Sequence, residues 1–384
     1  MKNKISRLSF MNNSATVILL TTFLMISSCR KDQDPSAVPT ITTPKAVITP
    51  SNNDERIFED GEGLNIYTAE NRRIDFTRLI SVNAIDNTTI EITNFVPLDI
   101  EEVTILLKIN GRDEPVKLLV ADIKAHTTKK IKYPFVNETT DFFENQTNKI
   151  VSLAQYKTVG IAPSQVSFDY TGTTPLLQKL KKAGEMKWQF KPNDFDPNHN
   201  QENWKDNPTP QDFRKYSALL INMAYLYSSA TNMRQSFLNE SITNNDVILM
   251  SPAEKLTAYN NIVNKTKLSL GICEGGVTGL GGGGTLGIAA SVINKAMFEP
   301  VSTFAHEMGH VVGFSHESSM TYPQNDKGSV SACQREWLIR IKDGSLPVQL
   351  NNYYMQGDFI KTGSTSLTTN AKQGTQLIDN CDIK

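Results

Sequence analysis

The chain of 384 residues has little net charge: 39 Lys+Arg against 40 Asp+Glu leave a formal charge of −1. That balance gives no basic footprint for nucleic acid. The apolar run Ala15–Ile26 is too short for a membrane-spanning helix, which needs about 20 such residues. The four glycines at 281–284 are not followed by Gly-Lys-Ser/Thr or by a helical pattern, which excludes a phosphate-binding loop. Histidine is scarce as well. There are only five, yet three of them fall between residues 306 and 316.

Those three sit in His306-Glu-Met-Gly-His310-Val-Val-Gly313-Phe-Ser-His316, and Met320-Thr-Tyr322-Pro323 follows closely. Helical residues four apart lie one turn above each other, so His306 and His310 project in parallel. Two imidazoles so placed can hold one cation. Glu307 is one step round the helix, within reach of a water on that cation without being a ligand. Gly313 can take the left-handed conformation that ends a helix and returns His316 as a third ligand. Three protein ligands with one open position suit a catalytic zinc ion rather than a structural one. The chemistry expected there is peptide hydrolysis, with Glu307 as the base that takes a proton from water.

The stretch resembles the extended zinc-binding motif of the metzincin metallopeptidases, His-Glu-x-x-His-x-x-Gly-x-x-His with a Met-turn. Within that clan, Gly-Phe-x-His-Glu and a Met-x-Tyr turn look most like astacins. The resemblance implies one catalytic Zn²⁺ held by His306, His310 and His316. It also implies Met320 as the floor of the site and Tyr322 as a partner of the oxyanion. It covers about twenty residues. Only three residues separate His316 from Met320, fewer than the family pattern has.

The N-terminus carries Lys2, Lys4 and Arg7 ahead of the apolar run, which ends in Ile26-Ser-Ser-Cys29. This resembles a bacterial lipoprotein box and implies a lipid on Cys29. A plain signal peptide with an incidental cysteine is the alternative. The following Arg-Lys-Asp-Gln-Asp resembles the acidic tags of some bacterial surface lipoproteins, implying an outer-membrane lipoprotein exposed at the surface. Cys273, Cys333 and Cys381 remain, an odd number for an exported chain. A Cys333–Cys381 bridge would leave Cys273 free. A Cys273–Cys333 bridge is the alternative, and the spacing does not choose.

The expected organisation is multidomain. Residues 1–28 read as a lipoprotein signal peptide, and 29–54, rich in Pro, Thr, Ser and Asn, as a flexible tether. Residues 55–170 show short alternating runs such as Val103–Ile109 and Val116–Val120, with Asn110-Gly111 as a hairpin turn between them. That pattern predicts an immunoglobulin-like β-sandwich, read as a spacer rather than a ligand-binding module. Phe58-Glu-Asp-Gly61 resembles an acidic latency segment only faintly and reads as a solvated turn.

Thr174-Pro175 to Gly184 predicts a connector helix within 171–185, ahead of an α+β metzincin-like catalytic domain over 186–384. Lys187–Phe190 reads as its first strand. Asp194–Pro210 reads as a long polar loop whose His199 is expected exposed, not a ligand. Thr209-Pro210 caps a helix whose apolar stripe runs to Phe237. Asp246–Met250, Lys267–Leu270 and Thr285–Ile293 read as strands, and Ser251–Glu254 as a capping box. The resemblance makes Thr285–Ile293 the edge strand that pairs with substrate backbone, with the glycines as a mobile rim. The zinc helix is expected from Pro300 to Gly313, and a further helix over Ser331–Ile341 with Trp337 and Leu338 buried.

The function this predicts is a zinc endopeptidase acting on protein, peptide or glycoprotein at a bacterial cell envelope. It is expected to be a monomer held to the membrane by the lipid on Cys29. A catalytically inactive adhesin or binding lipoprotein that kept the fold is the alternative. Glu307 argues against it, because a degenerate site usually loses its base before its histidines.

Overall fold

The computed structural model describes residues 41–293 and 299–349. Cys29, Cys381 and the signal-peptide residues lie outside them.

The N-terminal half is built from β1 (Lys45–Ile48), β2 (Ile74–Asp75), β3 (Ile80–Ala84), β4 (Thr89–Asn94), β5 (Ile100–Ile109), β6 (Val116–Ile123), β7 (Thr127–Lys132), β8 (Asp141–Glu144), β9 (Ile150–Ser152) and β10 (Val166–Thr171). Single helical turns, α1 (Leu64–Tyr67) and α2 (Pro134–Asn137), interrupt them. One sheet has the order β10-β5-β6-β8-β9, with β1 parallel to β6, and the other is β3-β4-β7. Alternation decides which residues face inward: Val103, Ile105, Leu107 and Ile109 of β5 are buried together with Ile90 and Ile92 of β4. β1 lies inside the expected tether, so the described chain is ordered from residue 45, not 55. The segment buries only Ile48, with Ala46 packed partly against the core, which is too little for a periodic signal.

The second correction concerns the boundary between the halves. β2 lies within the expected sandwich but pairs antiparallel with β11 (Gln189–Pro192) of the C-terminal sheet. The Phe58–Gly61 segment is a solvated turn only at Asp60 and Gly61, which are exposed, whereas Phe58 and Glu59 are buried. Arg214, buried on the helix that begins at Pro210, donates to the Phe58 carbonyl and, at 2.7 Å, to Asp60. A buried guanidinium needs such partners, because unpaired charge in the interior is costly.

After the connector α3 (Pro175–Ala183), with Thr174 and Gly184 at its ends as expected, comes β11. α4 (Pro210–Tyr227) starts from a complete capping box of Thr209 and Asp212. The predicted stripe breaks at Ser228, where the backbone turns extended, and resumes in α5 (Met233–Asn239). α6 (Pro252–Val263) has the expected Ser251–Glu254 capping box.

The C-terminal sheet has the order β13-β14-β12-β11-β2, with β12 at Leu268–Cys273, β13 at Gly279–Gly282 and β14 at Thr285–Ala289. β11, β12 and β14 run parallel, whereas β13 is antiparallel to β14. The predicted strand to Ile293 stops at Ala289 and continues as α7 (Ala290–Ile293). β14 is interior, so the free edge is β13, not Thr285–Ile293. Asp246–Met250 is not a strand. It is a turn closed by the Thr243–Leu249 bridge, with the side chains of Val247, Ile248 and Leu249 exposed.

α8 (Glu299–Val311) carries His306, Glu307 and His310 and packs on β13, β14 and α9 (Ser329–Lys342). Trp337 is buried and Leu338 only half-buried. Cys273 and Cys333 are both buried free thiols, so no bridge joins them.

Candidate metal centre

α8 ends in a motif that follows from Gly313. The N–H of Gly313 bonds the His310 carbonyl at 3.0 Å, and that of Phe314 bonds the Gly309 carbonyl at 3.0 Å. This pair of bonds is a Schellman cap, and it places Gly313 at φ +98, where a side chain is strained. The cap also aims the Phe314 carbonyl back at the helix, where it accepts the Nδ1 proton of His310 at 2.7 Å. His306 Nδ1 donates in the same way to the Thr321 carbonyl at 2.9 Å. A carbonyl only accepts, so both rings hold their proton on Nδ1 and turn the Nε2 lone pair inward.

The two Nε2 atoms stand 3.2 Å apart. Ligands about 2.0–2.1 Å from one zinc ion in tetrahedral geometry stand about 3.3–3.4 Å apart, close to that separation. His316 completes the group: its ring centroid is 4.7 Å from His310 and 5.4 Å from His306, and one nitrogen of each ring lies within 4.8 Å of the others. The donor set fits a zinc ion with an open coordination position. Burial, reinforced by the neighbouring imidazoles, pushes His306 and His310 toward the neutral form that a metal requires.

Glu307 is buried, and its Oε1 is 3.8 Å from His306 Nε2. Burial raises its pKa to about 7. The group therefore sits beside the trio as a carboxyl able to exchange a proton near neutrality.

The Tyr322 ring lies against the cluster at a tilt of about 60°, its centroid 4.5 Å from His306 and 5.0 Å from His316, and the residue is 52% exposed. Met320 is fully buried in a turn closed by the Ser318 carbonyl, which accepts from Thr321 and Tyr322 at 3.2 Å each. A Cβ on Gly309 would stand 2.8 Å from the Met320 carbonyl oxygen, so the glycine lets this turn lie directly on α8. The short spacing from His316 thus still brings Met320 and Tyr322 to the motif.

Two contributions were invisible to the sequence pattern. The first is Asn245, in the turn closed by the Thr243–Leu249 bridge and just ahead of the stretch expected as a strand. Its Oδ1 accepts from the Ser315 N–H at 2.8 Å and its Nδ2 donates to the Gly313 carbonyl at 3.2 Å, bracing the loop that presents His316. The second is β13, whose Gly279 and Gly281 face Glu307. An Asn two residues before an exposed aliphatic run was the only hint of the brace, and the alternation of glycines the only hint of the close approach.

Comparison with protein-family models, curated proteins and solved structures found no significant match to this chain.

Proposed function

We propose that the chain is a zinc-dependent endopeptidase of metzincin type. The observation that carries this reading is the pair of inward Nε2 atoms 3.2 Å apart with His316 closing the group and a buried carboxylate beside it. His306, His310 and His316 would hold the zinc ion. When bound, zinc supplies Lewis acidity, which acidifies a coordinated water and polarises the scissile carbonyl.

Glu307 accepts the proton of the attacking water and passes it to the leaving amine. Its burial keeps that proton from exchanging freely with solvent. The Tyr322 hydroxyl donates to the oxygen on which negative charge develops, a contribution of on the order of 10²–10³ in rate for one such donor. The free edge of β13 offers backbone N–H and C=O groups to an extended peptide, which is bound by strand addition. Gly279, Gly281 and Gly282 suit this role because they leave the edge without bulky side chains.

The two N-terminal sheets, read as an immunoglobulin-like spacer, and a lipid on Cys29 hold the catalytic unit at a bacterial outer membrane. Membrane fractionation of Cys29→Ala tests the anchor, and retention in the membrane fraction contradicts it. The metal assignment is tested by elemental analysis of purified protein: His310→Ala loses one zinc ion per chain and all casein cleavage. Undiminished zinc in that variant contradicts the ligand set.

A further inference from the structure

The loop from β11 to α4 gathers a second group of metal-ligating side chains, away from the histidine trio. Asp196, His199 and Asp206 each bring one ligand atom to within 4.8 Å of the others. His199 Nδ1 is 2.9 Å from Asp206 Oδ2. Asp196 is 1% exposed, and its two oxygens accept the backbone N–H groups of Asn200 at 2.8 Å and Gln201 at 3.1 Å. The carboxylate is therefore fixed in place before any ligand arrives.

Three carboxylates surround one imidazole here. Asp206, Asp196 and Asp194 all bear on His199 electrostatically. The single cation that His199 can become does not balance that charge. Lys205, next in sequence to Asp206, is turned away to Asp212 at 2.8 Å.

We infer that Asp196, His199 and Asp206 form a second metal site, for a divalent transition ion of the zinc or manganese type. Two ligands about 2.0–2.2 Å from one ion, subtending about 90–110°, stand about 2.8–3.6 Å apart, which includes the His199–Asp206 separation. The imidazole selects against calcium and magnesium, which take oxygen ligands, and the two carboxylates admit zinc or manganese.

The site would fasten a loop already stitched along β12. Asn193 N–H bonds the Leu270 carbonyl, Lys205 N–H the Ile272 carbonyl and Glu274 N–H the Asn203 carbonyl. The same loop lays Phe195 and Trp204 over Gly271 and Gly287, with ring centroids 4.5 Å apart. A Cβ at Gly271 would be 2.3 Å from the Trp204 ring, so these glycines exist to admit the aromatics. Phe195 and Trp204 also wall a cavity of about 520 Å³ against Leu280–Gly282 and Thr285, beside the free edge of β13. An ion at Asp196, His199 and Asp206 thereby sets the position of one wall next to that edge.

The test uses the full chain, stripped by a chelator and then titrated with zinc, with metal counted per chain and tryptophan emission recorded. Trp188 and Trp337 are buried and Trp204 is half-buried, so the emission response should belong to Trp204. His199→Ala and Asp206→Asn change half-exposed side chains and should unfold, metal-free, at the native temperature. Each should bind one zinc fewer than the native chain and lose the emission response, while calcium gives none. His310→Ala should lose the other zinc and keep the response. Native zinc stoichiometry and native emission change in both loop variants would overturn the second site and leave an ordinary ion pair. A calcium response equal to that of zinc would overturn the assigned class of ion. An unchanged zinc count in His310→Ala would fault the histidine trio alone, since the loop site is read from its own variants.

Discussion

A Cβ placed on Gly279 would stand 2.5 Å from Glu307 Oε1. One on Gly281 would stand 2.4 Å from the Glu307 carbonyl oxygen. Real Cβ atoms do not approach that closely, so the glycines of β13 set how near the edge strand lies to Glu307.

Gly279→Ala should displace Glu307 without touching a histidine. Peptide hydrolysis should fall by about 10²–10⁴, the contribution expected of a positioned base. Zinc content should stay native, because neither the Nε2 lone pairs nor the carbonyls behind them move. Native cleavage of casein by Gly279→Ala would show that the Glu307 position has no bearing on the rate.

The glycine that ends α8 should act on the metal instead. Gly313 stands at φ +98 with open space around it, so alanine there meets backbone strain and no clash. A left-handed L residue costs about 1–2 kcal/mol. Relief of that strain would shift the Phe314 carbonyl from His310 Nδ1, and losing such an orienting partner typically lowers metal affinity 10–100-fold. Zinc dissociation measured by competition with a chelator checks this. Unchanged affinity in Gly313→Ala would separate the cap from the metal centre.

Stability should fall in acid partly through a histidine far along the chain from the motif. His126 is fully buried, and burial, aided by the charge of Arg214, lowers its pKa to about 3. The unfolded chain binds this proton near pH 6.5, whereas the folded chain refuses it until about pH 3. The stabilisation is therefore complete above about pH 6.5 and is lost as pH falls toward 3, at about 1.4 kcal/mol per pH unit. His126→Asn removes the titrating group and tolerates the local φ of +45. Denaturant unfolding between pH 7 and 4 should show a shallower loss in that variant, and equal slopes would contradict the assignment.

The site was legible in the sequence where its parts are local. His306, Glu307 and His310 share one helix, and Gly313 announces its end, so spacing alone brings them together. The supports are not local. Asn245 reaches the His316 loop from a turn whose Val247, Ile248 and Leu249 mimic a strand but face solvent. Apolar periodicity counts residue types and is blind to which way they point. The free edge β13 consists mostly of glycine and has no side-chain pattern to read. β2 is two residues long and owes its existence to Gln189 and Phe190, far along the chain. The end of the long helix at Ser228 was hidden for a similar reason, since the apolar stripe resumes in α5 beyond the break.

The reading of the chain as a peptidase rests on Glu307 moving a proton while the histidines hold the ion. Glu307→Gln keeps the size and hydrogen bonding of the side chain and cannot accept that proton. Casein cleavage and zinc content measured side by side on this variant test the claim most directly. The account predicts native zinc at His306, His310 and His316 with cleavage reduced by about 10²–10⁴. Cleavage at the native rate would contradict it.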